Sequence, residues 1–130
     1  FAWSYVDAMT VGLDFTARDL QSKLKSKGLP WEKAKGFDGS AVLGEWIKGP
    51  IEPGFHDISL LKNGTEVQAG NTRDFLFPLE DLIAHVSQYF TLKTGDLLFT
   101  GTPAGVGPVS HGDELEAKLD GKSLLRLRIR

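Results

Sequence analysis

The chain has 130 residues, 41% of them hydrophobic and 25% charged, a size and balance that suit one globular domain with an apolar core. The absence of cysteine excludes disulfides, zinc–thiolate sites and thiol nucleophiles, and is compatible with a reducing, cytoplasmic setting. A net charge of −2 with no long like-charge run leaves no footprint for nucleic acid, and no apolar run reaches the roughly 18 residues that span a bilayer.

The first ten residues show neither a starting methionine nor the basic stretch of a secretory signal, so the chain is expected to begin within a longer protein. Trp3, Val6 and Met9 have rough helical spacing and predict the end of a helix. Val11, Leu13 and Phe15 then alternate with Gly12, Asp14 and Thr16, which predicts a strand. Thr16 and Asp19 are spaced as a capping box, predicting a helix from Ala17 to about Lys27 that ends at Gly28 before Pro30. The stretch 31–54, rich in Gly and Pro, reads as a long ordered loop with one short strand. Residues 57–69 read as a hairpin turning at Asn63-Gly64.

Pro78 opens the clearest helix, with Leu79, Leu82, Ile83, Val86 and Phe90 on one stripe. Residues 97–100 read as a buried strand leading into the loop GTPAGVGP. A last hairpin turns at Asp120-Gly121, with Leu125, Leu127 and Ile129 on one face and Arg126 and Arg128 on the other. Strands outnumber helices without regular alternation. The fold class predicted is strand-rich α+β, mainly a mixed sheet curling into a roll or sandwich.

Four places could carry chemistry. Asp14, between small residues at a strand end, has open space before it and offers the oxygen ligand that Mg²⁺ prefers; the plainer reading is a cap for the next helix. Arg18 and Gln21 share a helix face that could present a guanidinium and an amide to a carboxylate, or could be solvated surface. Lys35, between Ala34 and Gly36, could approach a ligand and neutralise an enolate or carboxylate, although Lys33 nearby shows how ordinary a surface lysine is. The loop from Gly101 to Pro108 follows an apolar stretch. Its glycines let backbone N–H groups converge on an anion, with Thr102 adding a hydroxyl, or it is a tight structural loop. Its spacing fits neither the phosphate loop nor the dinucleotide fingerprint.

His56, His85 and His111 lie far apart with no metal-ligand spacing, and His85 falls on the polar side of its helix. Ser40, Ser59 and Ser110 lack a nucleophile-elbow context. Glu114 and Glu116 form a Glu-x-Glu, read as alternating exposed charge in a hairpin strand.

Together, VGLDFTARDLQ, KGLPWEKAKGFDGS and FTLKTGDLLFTGTPAGVGPV resemble the fumarylacetoacetate hydrolase family, in its acylpyruvase and fumarylpyruvate-hydrolase-like branch. The resemblance runs along nearly the whole chain in order. It implies a mixed β-sandwich roll and a metal-dependent enzyme that cleaves a carbon–carbon bond in small 2,4-diketo acids through an enolate. By resemblance, Asp14 ligates Mg²⁺ or Mn²⁺, and Lys35 holds a substrate oxygen or stabilises the enolate. Arg18 and Gln21 line the site, Gln21 the more directly, while Gly101 and Thr102 belong to the segment that binds the substrate carboxylate.

The family's Glu-x-Glu metal ligands and the His–Glu pair on its N-terminal lid lie upstream of this chain, and Glu114 and Glu116 fall at the wrong end to replace them. The expectation is therefore a single domain over 1–130, the C-terminal portion of the catalytic domain, holding one metal ligand and little activity alone. The same site would serve the superfamily's decarboxylases, isomerases, hydratases and oxaloacetate tautomerases. A third reading is an inactive interaction module. The resemblance also implies a homodimer acting on a small molecule, without nucleic-acid or membrane partners.

Overall fold

The computed structural model describes residues 2–130. Its centre is a four-stranded sheet built from two hairpins. The first joins β5 (Asp57–Lys62) to β6 (Thr65–Asn71), and the second joins β7 (Glu114–Leu119) to β8 (Lys122–Arg128). The turn residues have the positive φ that two-residue hairpins require: Asn63 51° and Gly64 80°, then Asp120 49° and Gly121 77°. Strand order is β6-β5-β7-β8. Asn63 ties the hairpins together, accepting from the Glu114 N–H at 2.9 Å and donating to the Asp113 carboxylate at 2.8 Å.

Two short ribbons lie beside this sheet. β1 (Ala8–Met9) pairs with β4 (Ile47–Lys48), and β2 (Gly12–Asp14) pairs with β3 (Ala41–Leu43). Val11, between β1 and β2, joins Ala117, Leu119 and Leu124 in the buried core, with Met9, Ile47, Ile58, Leu60 and Leu125 packed around them. The ribbons approach the sheet closely at Gly44, where a Cβ would meet the Leu124 carbonyl oxygen at 2.6 Å. Every strand pairing among the described residues is antiparallel. With three short helices, α1 (Arg18–Ser26), α2 (Glu32–Lys35) and α3 (Leu79–Ser87), the fold is strand-rich α+β, as expected. No helix among the described residues is long and apolar enough to cross a membrane.

Several local expectations are met in altered form. Helix α1 ends at Gly28, whose φ of 63° allows the Leu29 N–H to reach back to the Leu24 carbonyl at 3.0 Å. Its start differs: the N-cap is Ala17, with no side-chain cap, because Thr16 is bonded elsewhere. Trp3 lies in a 3-10 turn over Ala2–Tyr5, whereas Met9 is in β1. The 31–54 stretch contains α2 and two strands rather than one. Helix α3 stops at Ser87, so Phe90 leaves the stripe and is exposed. Residues 97–100 form no strand, and Leu97, Leu98 and Phe99 are exposed. Phe99 nevertheless lies over Gly12, where a Cβ would meet the ring at 2.9 Å.

Candidate functional site

A close ion pair forms where β2 runs into α1. The Phe15 N–H donates to the Ser40 carbonyl at 2.7 Å and the Ala17 N–H to the Ala34 carbonyl at 3.0 Å, which pins the one-turn α2 against this junction. Ala34 is fully buried there. The next residue, Lys35, is thereby delivered to the strand end. Its ammonium lies 2.7 Å from the Asp14 carboxylate and donates to the Thr16 hydroxyl at 2.8 Å. An ammonium has three donors, and these contacts use two, leaving one for a further acceptor. Both side chains remain solvent-accessible, Lys35 33% and Asp14 50%.

In the first turn of α1, Arg18 donates to the Gln21 side-chain oxygen at 2.8 Å. A guanidinium cannot accept, so this contact assigns the oxygen of Gln21 to Arg18 and leaves its NH₂ free to donate. The glycine loop is positioned separately. Gln68 on β6 donates to the Thr102 hydroxyl and to the Pro103 carbonyl, both at 2.9 Å. Gly101 and Gly105 both adopt positive φ, 105° and 100°. At the far end of the loop, Lys62 on β5 donates to the Pro108 carbonyl at 2.9 Å.

Asp14, Thr16, Arg18, Gln21, Lys35, Gln68, Gly101 and Thr102 all line one broad groove of about 2960 Å³. That is several times the roughly 300–1,000 Å³ of a small-molecule site, so these residues share its wall without enclosing a pocket. The structure places Asp14, Thr16 and Lys35 in direct contact and Arg18 on Gln21, while Thr102 contacts Gln68 instead. Asp14 does not cap α1. Gln68 carried no signal in the sequence, since its partners lie 34 and 35 residues away.

Among the described residues, no three histidine, aspartate or glutamate side chains come together to hold a metal ion. Asp14 is a single carboxylate already paired with Lys35, and one carboxylate does not make a site for well-hydrated Mg²⁺. Glu116 does not substitute: Arg126, at 2.9 Å, and Ser123 hold its carboxyl below the usual glutamate range.

His85 and His111 are exposed, the His85 ring tilted at 59° against Tyr89 with ring centroids 5.3 Å apart. His56 is different. Its Nδ1 lies 2.7 Å from the Asp120 carboxylate, and its Nε2 is buried without a partner among the described residues. A carboxylate only accepts, so Nδ1 carries the proton in this contact. Asp120 also accepts from the Asp57 N–H at 2.8 Å, and His56 first, then Asp57, hold its carboxyl below the ordinary aspartate range. A carboxylate lowered in this way adds stability that is present above about pH 4 and lost as pH falls through its folded value. The Asp120→Asn protein is therefore expected to be less stable than the wild type at pH 7, the gap closing below about pH 4. Urea midpoints from pH 7 to pH 3 check this; a gap that does not change with pH would contradict it.

The family model for the C-terminal part of fumarylacetoacetate hydrolase matches residues 1–130. The chain belongs to the fumarylacetoacetate hydrolase family. Among curated relatives it is 48% identical to oxaloacetate tautomerase YcgM of Escherichia coli, covering 88% of this chain and 53% of that one. It is 41% identical to the mitochondrial oxaloacetate tautomerase FAHD1 of mouse, over 99% of this chain and 59% of that one. Among solved structures, fumarylpyruvate hydrolase from Pseudomonas aeruginosa, in complex with Mn²⁺ and pyruvate, superposes with a TM-score of 0.92 at 36% identity. That match covers 98% of this chain and 56% of the hydrolase. The chain thus spans between half and three-fifths of the length of these relatives.

Proposed function

We propose that this chain supplies the anion-binding, enolate-stabilising part of an enzyme that cleaves a carbon–carbon bond in acylpyruvates or similar 2,4-diketo acids. The observation that carries this reading is the Lys35 ammonium held between Asp14 and Thr16 with one donor to spare. Water added to the distal carbonyl breaks the bond to the neighbouring carbon, whose electron pair passes into the pyruvate fragment as an enolate. Lys35 meets the enolate oxygen, and the NH₂ of Gln21 and the hydroxyl of Thr102 meet the carboxylate. Protonation of the enolate carbon then gives pyruvate, alongside the released carboxylic acid.

The cofactor in this reading is a divalent cation, Mg²⁺ or Mn²⁺, with Asp14 as one oxygen ligand and further ligands from outside the described residues. The Mn²⁺ and pyruvate in the Pseudomonas hydrolase support it. A homodimer belongs to the same proposal and is tested by light scattering.

A second reading, keto–enol tautomerisation of oxaloacetate, is favoured by the names of the relatives at 48% and 41% identity. It needs the same enolate but breaks no carbon–carbon bond. The test is spectrophotometric: the full-length protein, with Mg²⁺ or Mn²⁺, is given acetylpyruvate and oxaloacetate separately. Loss of acetylpyruvate with release of pyruvate supports the hydrolase. Accelerated decay of enol-oxaloacetate alone supports the tautomerase. Inertness toward both overturns the shared enolate reading.

A further inference from the structure

We propose that Gln68 is a positioning residue that turns the Thr102 hydroxyl proton toward the groove, making the start of the glycine loop favour a carboxylate. The inference rests on the reading of Thr102 as a substrate contact.

The argument begins with which way the Gln68 amide must face. The Pro103 carbonyl can only accept, so the group 2.9 Å from it is the amide nitrogen. The second hydrogen on that nitrogen points at the Thr102 hydroxyl, also 2.9 Å away. Thr102 therefore spends an oxygen lone pair on Gln68, and its own proton must go elsewhere. Thr102 is exposed on the groove wall that Asp14, Gln21 and Lys35 share. A hydroxyl can ordinarily serve a neutral or an anionic partner, as acceptor or donor. With one lone pair turned to Gln68, Thr102 has its proton free for the groove, and such a donor pairs more strongly with an anionic carboxylate than with a neutral ester.

The rest of β6 is shaped to hold the loop in this register. Gly70 has no side chain where Pro103 sits, and a Cβ there would come within 2.8 Å of the proline ring. Gly105 packs against the Val67 carbonyl, which a Cβ would strike, and its φ of 100° disfavours any other residue. Contacts at Val67, Gln68 and Gly70 thus seat residues 102–105 along one strand, and Gln68 alone among them directs a proton.

The test replaces Gln68 with glutamate, which has the same shape but no amide hydrogen. The carboxylate introduced by Gln68→Glu repels the Pro103 carbonyl and takes the Thr102 proton away from the groove. Acetylpyruvate and its methyl ester, with the carboxylate masked, are compared in the full-length protein with Mg²⁺. The preference for acid over ester, measured as kcat/KM, is expected to fall by roughly tenfold or more in Gln68→Glu, mostly through KM. Thr102→Val should show the same loss, and the double variant no further loss. An unchanged preference in Gln68→Glu, or additive losses, overturns the proposal.

If the wild type turns over neither acetylpyruvate nor oxaloacetate, the enolate reading fails while the positioning of the loop is still decided by amide hydrogen exchange over residues 101–105. Faster exchange in Gln68→Glu then supports the seating by Gln68, and unchanged exchange removes it.

Discussion

Lys35→Met is expected to lower kcat on the preferred 2-oxo acid by about 10²–10³-fold, the usual effect of deleting one preorganised donor to a developing oxyanion. Methionine keeps an unbranched stem one atom shorter and removes the charge, so the loss reports electrostatics more than packing. The fold should survive. Lys35 and Asp14 are 33% and 50% exposed, and ion pairs this open contribute about 0–1 kcal/mol after solvent screening. A melting temperature within a few degrees of the wild type, beside the large loss of kcat, is the expected pair of results. Lys35→Arg should recover little. The planar guanidinium is longer and cannot occupy the 2.7 and 2.8 Å positions on Asp14 and Thr16 while leaving a donor in the same place. Near-wild-type kcat in Lys35→Met would remove Lys35 from the chemistry.

The largest stability effect is expected at Leu124. It is 3% exposed and stands in the core with Val11, Ala117 and Leu119. Leu124→Ala should cost about 2–5 kcal/mol, read as a lowered urea midpoint with an unchanged m-value. The neighbouring Leu125 is only partly buried against the same cluster, and Leu125→Ala should cost roughly half as much. The order of the two is the informative part. Simple alternation in β8 assigns the inner face to Leu125, Leu127 and Ile129. A register shift between Ala117 and Lys118 leaves Leu124 unpaired in the β7–β8 ladder and places it, as well as Leu125, on the core side. If Leu125→Ala proved the more damaging, the bulge would be misplaced.

What the sequence determined by itself was local. Asn63-Gly64 and Asp120-Gly121 need no distant partner to turn, because their side chains permit the positive φ that joins two strands. Gly28 stops α1 for the same reason, and Pro78 opens α3 because its missing N–H costs nothing at a helix start. Alternation marked β2 and the helical stripe marked α3 up to Val86. Asp14 and Lys35 could be named as candidates, because short motifs around each carried a family resemblance, but neither motif contains the other residue.

Tertiary structure decided the rest, wherever a side chain had two possible partners. Thr16 could cap α1 or receive Lys35, and α2, packed through Ala34, made the second choice. The 97–100 segment could pair as a strand or pack through its side chains, and it lays the Phe99 ring over Gly12. His56 and Asp120, 64 residues apart, meet only because β5 pairs with β7 and brings the His56 loop beside the β7–β8 turn. Gln68 finds Thr102 for the same kind of reason. A hydrogen bond is specified by two atoms about 3 Å apart, and residue spacing carries that information only within a turn or a helix. Across a sheet it depends on register, which the packed core sets.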